Sequence, residues 1–192
     1  MKNPNIPDWA RMIEDFVPGD GREDAERKIM LDMIAREGDA LLHRTSAHAH
    51  FTASSIIVSR DRKTTLMAYH RIYDSWAWTG GHNDGDSDFL AVALREAQEE
   101  TGIKGLRQLG AGAASLEVLP VWAHVRRGEH VGSHLHLNVS YLFEADETLP
   151  LRSAEQENSA VAWLPIDALE TYVSEPDMLP IYRRLLARSE RL

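Results

Sequence analysis

Hydrophobic and polar positions alternate most cleanly over residues 134–143, where Leu135, Leu137, Val139, Tyr141 and Phe143 interleave with His134, His136, Asn138 and Ser140. A period of two marks a β-strand with unlike faces. Residues 52–59 and 65–69 are rich in β-formers and flank Arg60-Asp61-Arg62-Lys63, which predicts a hairpin. A further strand is predicted over 116–125. The period becomes helical over 87–101, and two more helices are predicted over 166–173 and 179–188. Strands interleaved with few helices give a mixed α/β or α+β domain.

The first forty-odd residues read differently. Residues 1–21 are rich in Pro, Asn, Asp and Gly and end in Pro18-Gly19-Asp20-Gly21, which is turn chemistry. With few apolar anchors, this stretch is expected to be dispensable for folding. Ile29, Met30, Met33, Ile34 and Leu41 then recur at helical spacing, and Gly38 ends or interrupts that helix. The expected organisation is an N-terminal helical extension over 1–47 and a main domain over 48–192. The extension is expected to pack on the main domain, with a dimer arm or a lid as the alternative, so a homodimer is open.

Composition narrows the function classes. The chain has 192 residues, 43% hydrophobic and 27% charged, which fits a folded domain and not a disordered one. Cysteine is absent, which excludes disulfides, thiolate metal sites and cysteine nucleophiles. No apolar run approaches the ~20 residues needed to span a bilayer, and no apolar core follows Met1-Lys2-Asn3-Pro4. A cytoplasmic protein without a membrane partner is therefore expected. The formal charge of −9 argues against gripping a nucleic-acid polymer. Small phosphorylated compounds remain open, provided that metal ions or a local basic patch neutralise the encounter.

The helix over 87–101 breaks the rules of helix stability. With ~100° per residue, Glu100 lies about 40° to one side of Glu96 and Glu99 about 60° to the other. Leu90, Ala93, Leu94 and Ala97 form a separate apolar stripe. Three carboxylates thus share one face in the last turns before Gly102, where the macrodipole is negative and each costs roughly 0.3–1 kcal/mol when exposed. Glu96 and Glu100 also repel at i,i+4. A solvated charged face is one explanation. A divalent cation is the other, since Mg²⁺ is held by a few carboxylates plus substrate phosphates.

Gly81-x5-Ser87-x7-Arg95-Glu96-Ala97-x-Glu99-Glu100-x-Gly102-Ile103 resembles the Nudix box, G-x5-E-x7-R-E-U-x-E-E-x-G-U with U aliphatic. Ser87 replaces the first Glu, and Ala97 is a small variant of U. Trp76-Ala77-Trp78-Thr79-Gly80-Gly81 is similar to the family's W-x-x-P-G-G entry, and Trp163-Leu164-Pro165 looks like its exit into a closing helix. The resemblance covers roughly residues 50–175. It implies an α/β/α sandwich around a mixed sheet and hydrolysis of a diphosphate linked to another moiety, with Mg²⁺ or Mn²⁺. By the same resemblance Glu96, Glu99 and Glu100 are the catalytic metal carboxylates, and the Gly80 carbonyl adds a ligand. In the family the first Glu braces the box Arg. Asp86 or Asp88 could replace it beside Arg95, or Ser87 could cap the helix.

Substrate-contact candidates lie before the box and on the last predicted strand. Trp76 could stack a base, Arg71 could hold a phosphate, and His82 and His136 could face the same cleft. Trp78 is expected in the core. Glu155 and Glu157 are candidate general bases or two solvated loop acids. His124, His130, His134 and His136 invite a zinc reading, but only His134 and His136 share a strand face. Without Cys or a placed carboxylate, the expectation is against zinc. The leading function is metal-dependent hydrolysis of a nucleoside diphosphate derivative or similar small molecule. A Nudix-fold binding or regulatory module is the alternative, and Ser87 is the feature that favours it.

Overall fold

Two long strands run parallel through the middle of the sheet, β1 (Ala49–Ser59) and β9 (His134–Ala145), paired from Ala49↔Leu135 to Ser59↔Ala145. The computed structural model describes residues 3–70, 74–126, 128–153 and 158–192. Around this pair β2 (Thr64–His70), β4 (Thr79–His82), β5 (Arg107–Leu109), β6 (Ser115–Val121) and β10 (Asn158–Pro165) add antiparallel. The short β3 (Ser75–Ala77) pairs with β2, which completes an eight-stranded mixed sheet. β7 (His124–Arg126) and β8 (Glu129–Val131) form a separate hairpin. The strand expected over 116–125 is therefore broken, at Trp122 and Ala123.

Helices cover both faces. α3 (Phe89–Thr101) buries Phe89, Val92, Ala93 and Ala97 against Phe51, Ala53, Leu137, Val139 and Phe143. On the other face α4 (Leu179–Ser189) packs Ile181, Tyr182 and Leu185 on Ile56, Val58, Met67 and Leu142. β1 is buried along its whole length because both faces are covered, which is why it lacks the alternation of a half-exposed strand. The closing helix expected over 166–173 is instead a 3₁₀ turn, Ile166–Thr171. α3 begins at Phe89, two residues later than expected, because Asp88 is the residue whose side chain caps it.

The N-terminal segment belongs to the first of these cores. A helical turn, α1 (Arg11–Glu14), and the helix α2 (Gly21–Glu37) bring Ile6, Ala10, Ile13, Met30 and Ile34 into contact with that cluster, all buried. Trp9 meets Phe51 and Phe89 edge-on or tilted, at centroid distances of 5.5 and 5.9 Å. The expectation that residues 1–21 carry few apolar anchors is corrected: Ile6, Trp9, Ala10 and Ile13 are widely spaced anchors, too sparse to make a period. Ile29, counted on the docking face of α2, is 45% exposed. At the far end of α2, Glu23 is fully buried and accepts from Arg188 of α4 at 2.7 and 2.8 Å. No helix among the described residues is long and apolar enough to cross a membrane.

Candidate active site

β4 supplies the floor of the site. Gly80 pairs with Ser54 and Gly81 with Ala53 across the β1–β4 ladder. A Cβ on Gly80 would collide with the Ser54 hydroxyl and, at 2.8 Å, with the Ala53 carbonyl oxygen. A Cβ on Gly81 would collide with the Glu96 carboxylate. Both glycines are therefore set by close approach, Gly80 to the neighbouring strand and Gly81 to an acid of α3.

Glu100 is the anchored carboxylate. It is 6% exposed, accepts the Gly80 N–H at 2.8 Å through Oε1, and accepts the Asn158 amide at 2.5 Å through Oε2. Glu96 is half-buried beside Gly81, and Glu99 stands exposed on the same end of the helix. Gly102 closes the helix in the left-handed region, φ 67°, its N–H donating to Gln98 O at 2.8 Å. Glu96 and Glu100, two of the three acids that the helix wheel puts on one face, thus meet the Gly80–Gly81 strand. A donor set of hard carboxylate oxygens held by a glycine cradle fits Mg²⁺ or Mn²⁺. The Gly80 N–H is committed to Glu100, which fixes its peptide plane.

Asp86 pairs with Arg95. Its Oδ2 lies 3.5 Å from Arg95 Nη1, while Arg95 Nη2 lies 3.6 Å from Glu96 Oε1. Asp86 also accepts the Asp88 N–H at 2.9 Å, and Asp88 accepts from Ala91 N at 3.0 Å as the cap. Ser87 itself is exposed and caps nothing. The loop bearing these acids is fastened to the N-terminal segment: Gly85 N–H donates to Leu42 O at 2.9 Å, and Arg44 pairs with Asp84.

The other predicted residues divide. Trp78 packs on Tyr182 at 5.4 Å and against the α4-side core, as expected for a core side chain. Trp76 lies edge-on to Tyr69 at 5.4 Å and against the same core. Arg71, Glu155 and Glu157 fall outside the described residues. His82 and His136 do come together, and with them His50, which no local pattern singles out. Burial, then the neighbouring His82, His50 and His134 rings, holds the His136 imidazole down to about 2.

Also missed is a buried polar column on the α4-side face. Asn138 accepts from Thr52 and Ser54 at 2.9 and 2.8 Å and donates to Glu117 at 2.9 Å. Glu117 accepts from Ser140 at 2.7 Å and from Arg184 at 3.3 Å. Its carboxyl is fully buried, and that burial pushes its pKa above the ordinary value against the bonds from Ser115, Asn138 and Ser140. The alternation of β9 signalled a polar face, but not that the face was closed over.

The NUDIX domain family model matches residues 49–188. The chain belongs to the Nudix hydrolase family. Solved structures agree in fold. A Caenorhabditis elegans Ap4A hydrolase in a binary complex is 17% identical, covering 74% of this chain and 98% of its own, with a TM-score of 0.56. The Escherichia coli dihydroneopterin triphosphate pyrophosphohydrolase is 15% identical over 74% of this chain and 96% of its own, TM-score 0.56. The NUDIX domain of Shewanella oneidensis NrtR, complexed with ADP-ribose, is 16% identical over 74% and 88%, TM-score 0.50. Among curated proteins, none matches the sequence. At these identities the structural likenesses carry the fold and not the substrate.

Proposed function

We propose that this Nudix protein hydrolyses a diphosphate linkage in a nucleoside diphosphate derivative, or a similar small molecule, with Mg²⁺ or Mn²⁺. The observation that carries the reading is the contact of Glu96 and Glu100 with Gly81 and Gly80. It brings helix carboxylates, which weaken their own helix end, onto a backbone stripped of Cβ atoms. Glu96, Glu99 and Glu100 are the residues that would hold the ion. When bound, a divalent ion neutralises diphosphate charge and lowers the pKa of an attacking water.

The chain's own groups then have distinct tasks. Glu100, gripped by Gly80 N–H and Asn158, is pre-oriented and loses little freedom on binding. The Glu96 carboxylate lies directly against Gly81, in a place that only a residue without a Cβ leaves open to it. Arg95, held between Asp86 and Glu96, steadies the Glu96 carboxylate. Exposed Glu99 is free of the packing that fixes Glu100 and suits proton removal from water.

A second reading, a ligand-binding module, is favoured by Ser87 and by the likeness to the NrtR domain seen with ADP-ribose. One experiment separates the two. The chain is incubated with ADP-ribose, diadenosine tetraphosphate and nucleoside triphosphates, with Mg²⁺ or Mn²⁺, and products are resolved by chromatography. Turnover of at least one compound, abolished by chelator, supports the hydrolase. Saturable binding without turnover of any supports the module.

A further inference from the structure

Histidines converge where β1 and β9 begin and β4 ends. The register does this: His50 lies opposite His136 across the parallel pair, and His82 lies opposite Thr52 on the other side of β1. The three ring centroids are 5.0 Å apart pairwise. One nitrogen from each ring falls within 4.8 Å of the others.

We propose that His50, His82 and His136 form a binding site for a borderline transition-metal ion, zinc foremost, separate from the carboxylate site of α3. Imidazole suits zinc, copper and nickel, whereas Mg²⁺ takes oxygen donors. Zn–N bonds of about 2.0–2.1 Å put tetrahedral nitrogens about 3.4 Å apart, so small ring rotations close the set. Ligation replaces the substrate contact expected of His82 and His136. Three protein ligands leave a fourth position for water or a substrate oxygen.

The hydrogen bonding is that of a ligand shell. His50 Nδ1 lies 3.1 Å from Ser46 O, and a carbonyl only accepts, so Nδ1 carries the proton and Nε2 the lone pair. That Nε2 is buried, and no hydrogen-bond partner reaches it among the described residues. An imidazole lone pair buried without a donor is costly, and a metal ion satisfies it. His134 Nδ1 is likewise spent on Gly132 O at 2.9 Å, so its Nε2 is an acceptor. It sits 3.3 Å from His136 Nε2, which donates to it and so leaves the lone pair of His136 on Nδ1.

The site is distinct from the α3 acids. A Cβ on Gly81 would point at Glu96, and side chains alternate along a strand, so His82 leaves β4 by the opposite face. An ion there ties β1, β4 and β9 together immediately beyond the Gly80–Gly81 pair.

The test uses the full chain without an affinity tag, stripped with chelator and loaded with Zn²⁺ alone. After gel filtration, one zinc per chain is expected by elemental analysis, and Co²⁺ is expected to give the intense visible absorption of a four-coordinate nitrogen site. His82→Asn and His136→Asn should abolish both. His134→Asn, which removes only the bracing ring, should weaken zinc about 10–100-fold. Glu96→Gln and His124→Asn should bind as wild type. No retained zinc in the wild-type chain, or only weak octahedral Co²⁺ bands, overturns the site whether or not any variant folds. So does wild-type uptake by folded His82→Asn and His136→Asn, or loss of zinc in Glu96→Gln. None of these readouts depends on diphosphate hydrolysis.

Discussion

Glu100 Oε1 accepts the Gly80 N–H at 2.8 Å, which ties the last turn of α3 to the glycine pair of β4. Its second oxygen takes the Asn158 amide of β10, so one buried carboxylate joins a helix and two strands. Glu96 is half-buried and 3.6 Å from Arg95, whereas Glu100 is buried, so the two acids should respond differently to the same change.

Glu100→Gln must turn its new NH₂ group towards either the Gly80 N–H or the Asn158 amide. A donor facing a donor in a buried place costs about 1–3 kcal/mol. Glu96→Gln removes a charge from the negative end of the helix and relieves its repulsion with Glu100, a gain of a few tenths of a kcal/mol. Denaturant unfolding of the metal-free proteins should show Glu100→Gln less stable than wild type and Glu96→Gln equal or slightly more stable. Equal destabilisation of both would contradict the anchoring role.

Arg95 should depend on Asp86 and not on Ser87. Asp86→Ala is expected to lower kcat, because Arg95 loses one of the two acids that hold it. The pair is partly exposed, so its loss alone should change stability by no more than about 1 kcal/mol. Ser87→Glu restores the family residue and should leave kcat unchanged or raise it. Steady-state kinetics on a substrate from the hydrolysis panel decide it, and a full rate in Asp86→Ala would remove Asp86 from the role.

The N-terminal segment should be needed for folding. Ile13 is fully buried in the core shared with α3, so Ile13→Ala is expected to cost about 2–5 kcal/mol. Deleting residues 1–21 uncovers Met30, Ile34, Phe51 and Phe89 and should lower the melting temperature or cause aggregation. A truncated chain that melts with the full-length protein would contradict this.

Glu117 makes stability depend on pH in a definite direction. Its folded pKa is raised by burial above the ordinary 4.5, so above that value the unfolded chain gives up a proton that the native carboxyl keeps. Stability from this group is present below the unfolded pKa and is lost as pH rises through the folded one. Glu117→Gln lacks this loss, so its stability relative to wild type should improve from pH 5 to pH 8. Unfolding curves at several pH values check it, and a gap that stays flat or moves the other way counts against it.

What the sequence made legible was periodic and local. The alternation of Leu135 to Phe143 located the central strand, and the spacing of Glu96, Glu99 and Glu100 located the acid face. What it hid depends on long-range pairing. His50 sits in a strand buried on both faces, where no alternation marks it, and reaches His82 and His136 only through the ladders of β4 and β9. Glu23 and Glu117 are buried acids that no local pattern marks, and their partners Arg188 and Arg184 come from α4, far along the chain. Ile6, Trp9 and Ile13 were obscured by the turn residues among them.

The central claim is tested most directly by the rate of diphosphate hydrolysis with Mg²⁺ or Mn²⁺ in wild type, Glu96→Gln and Glu100→Gln, each confirmed folded. Metal-dependent turnover in the wild type, with kcat lower in both variants by on the order of 10²-fold or more, is the expected result. Hydrolysis at the wild-type rate in both variants would contradict the assignment of the reaction to these carboxylates.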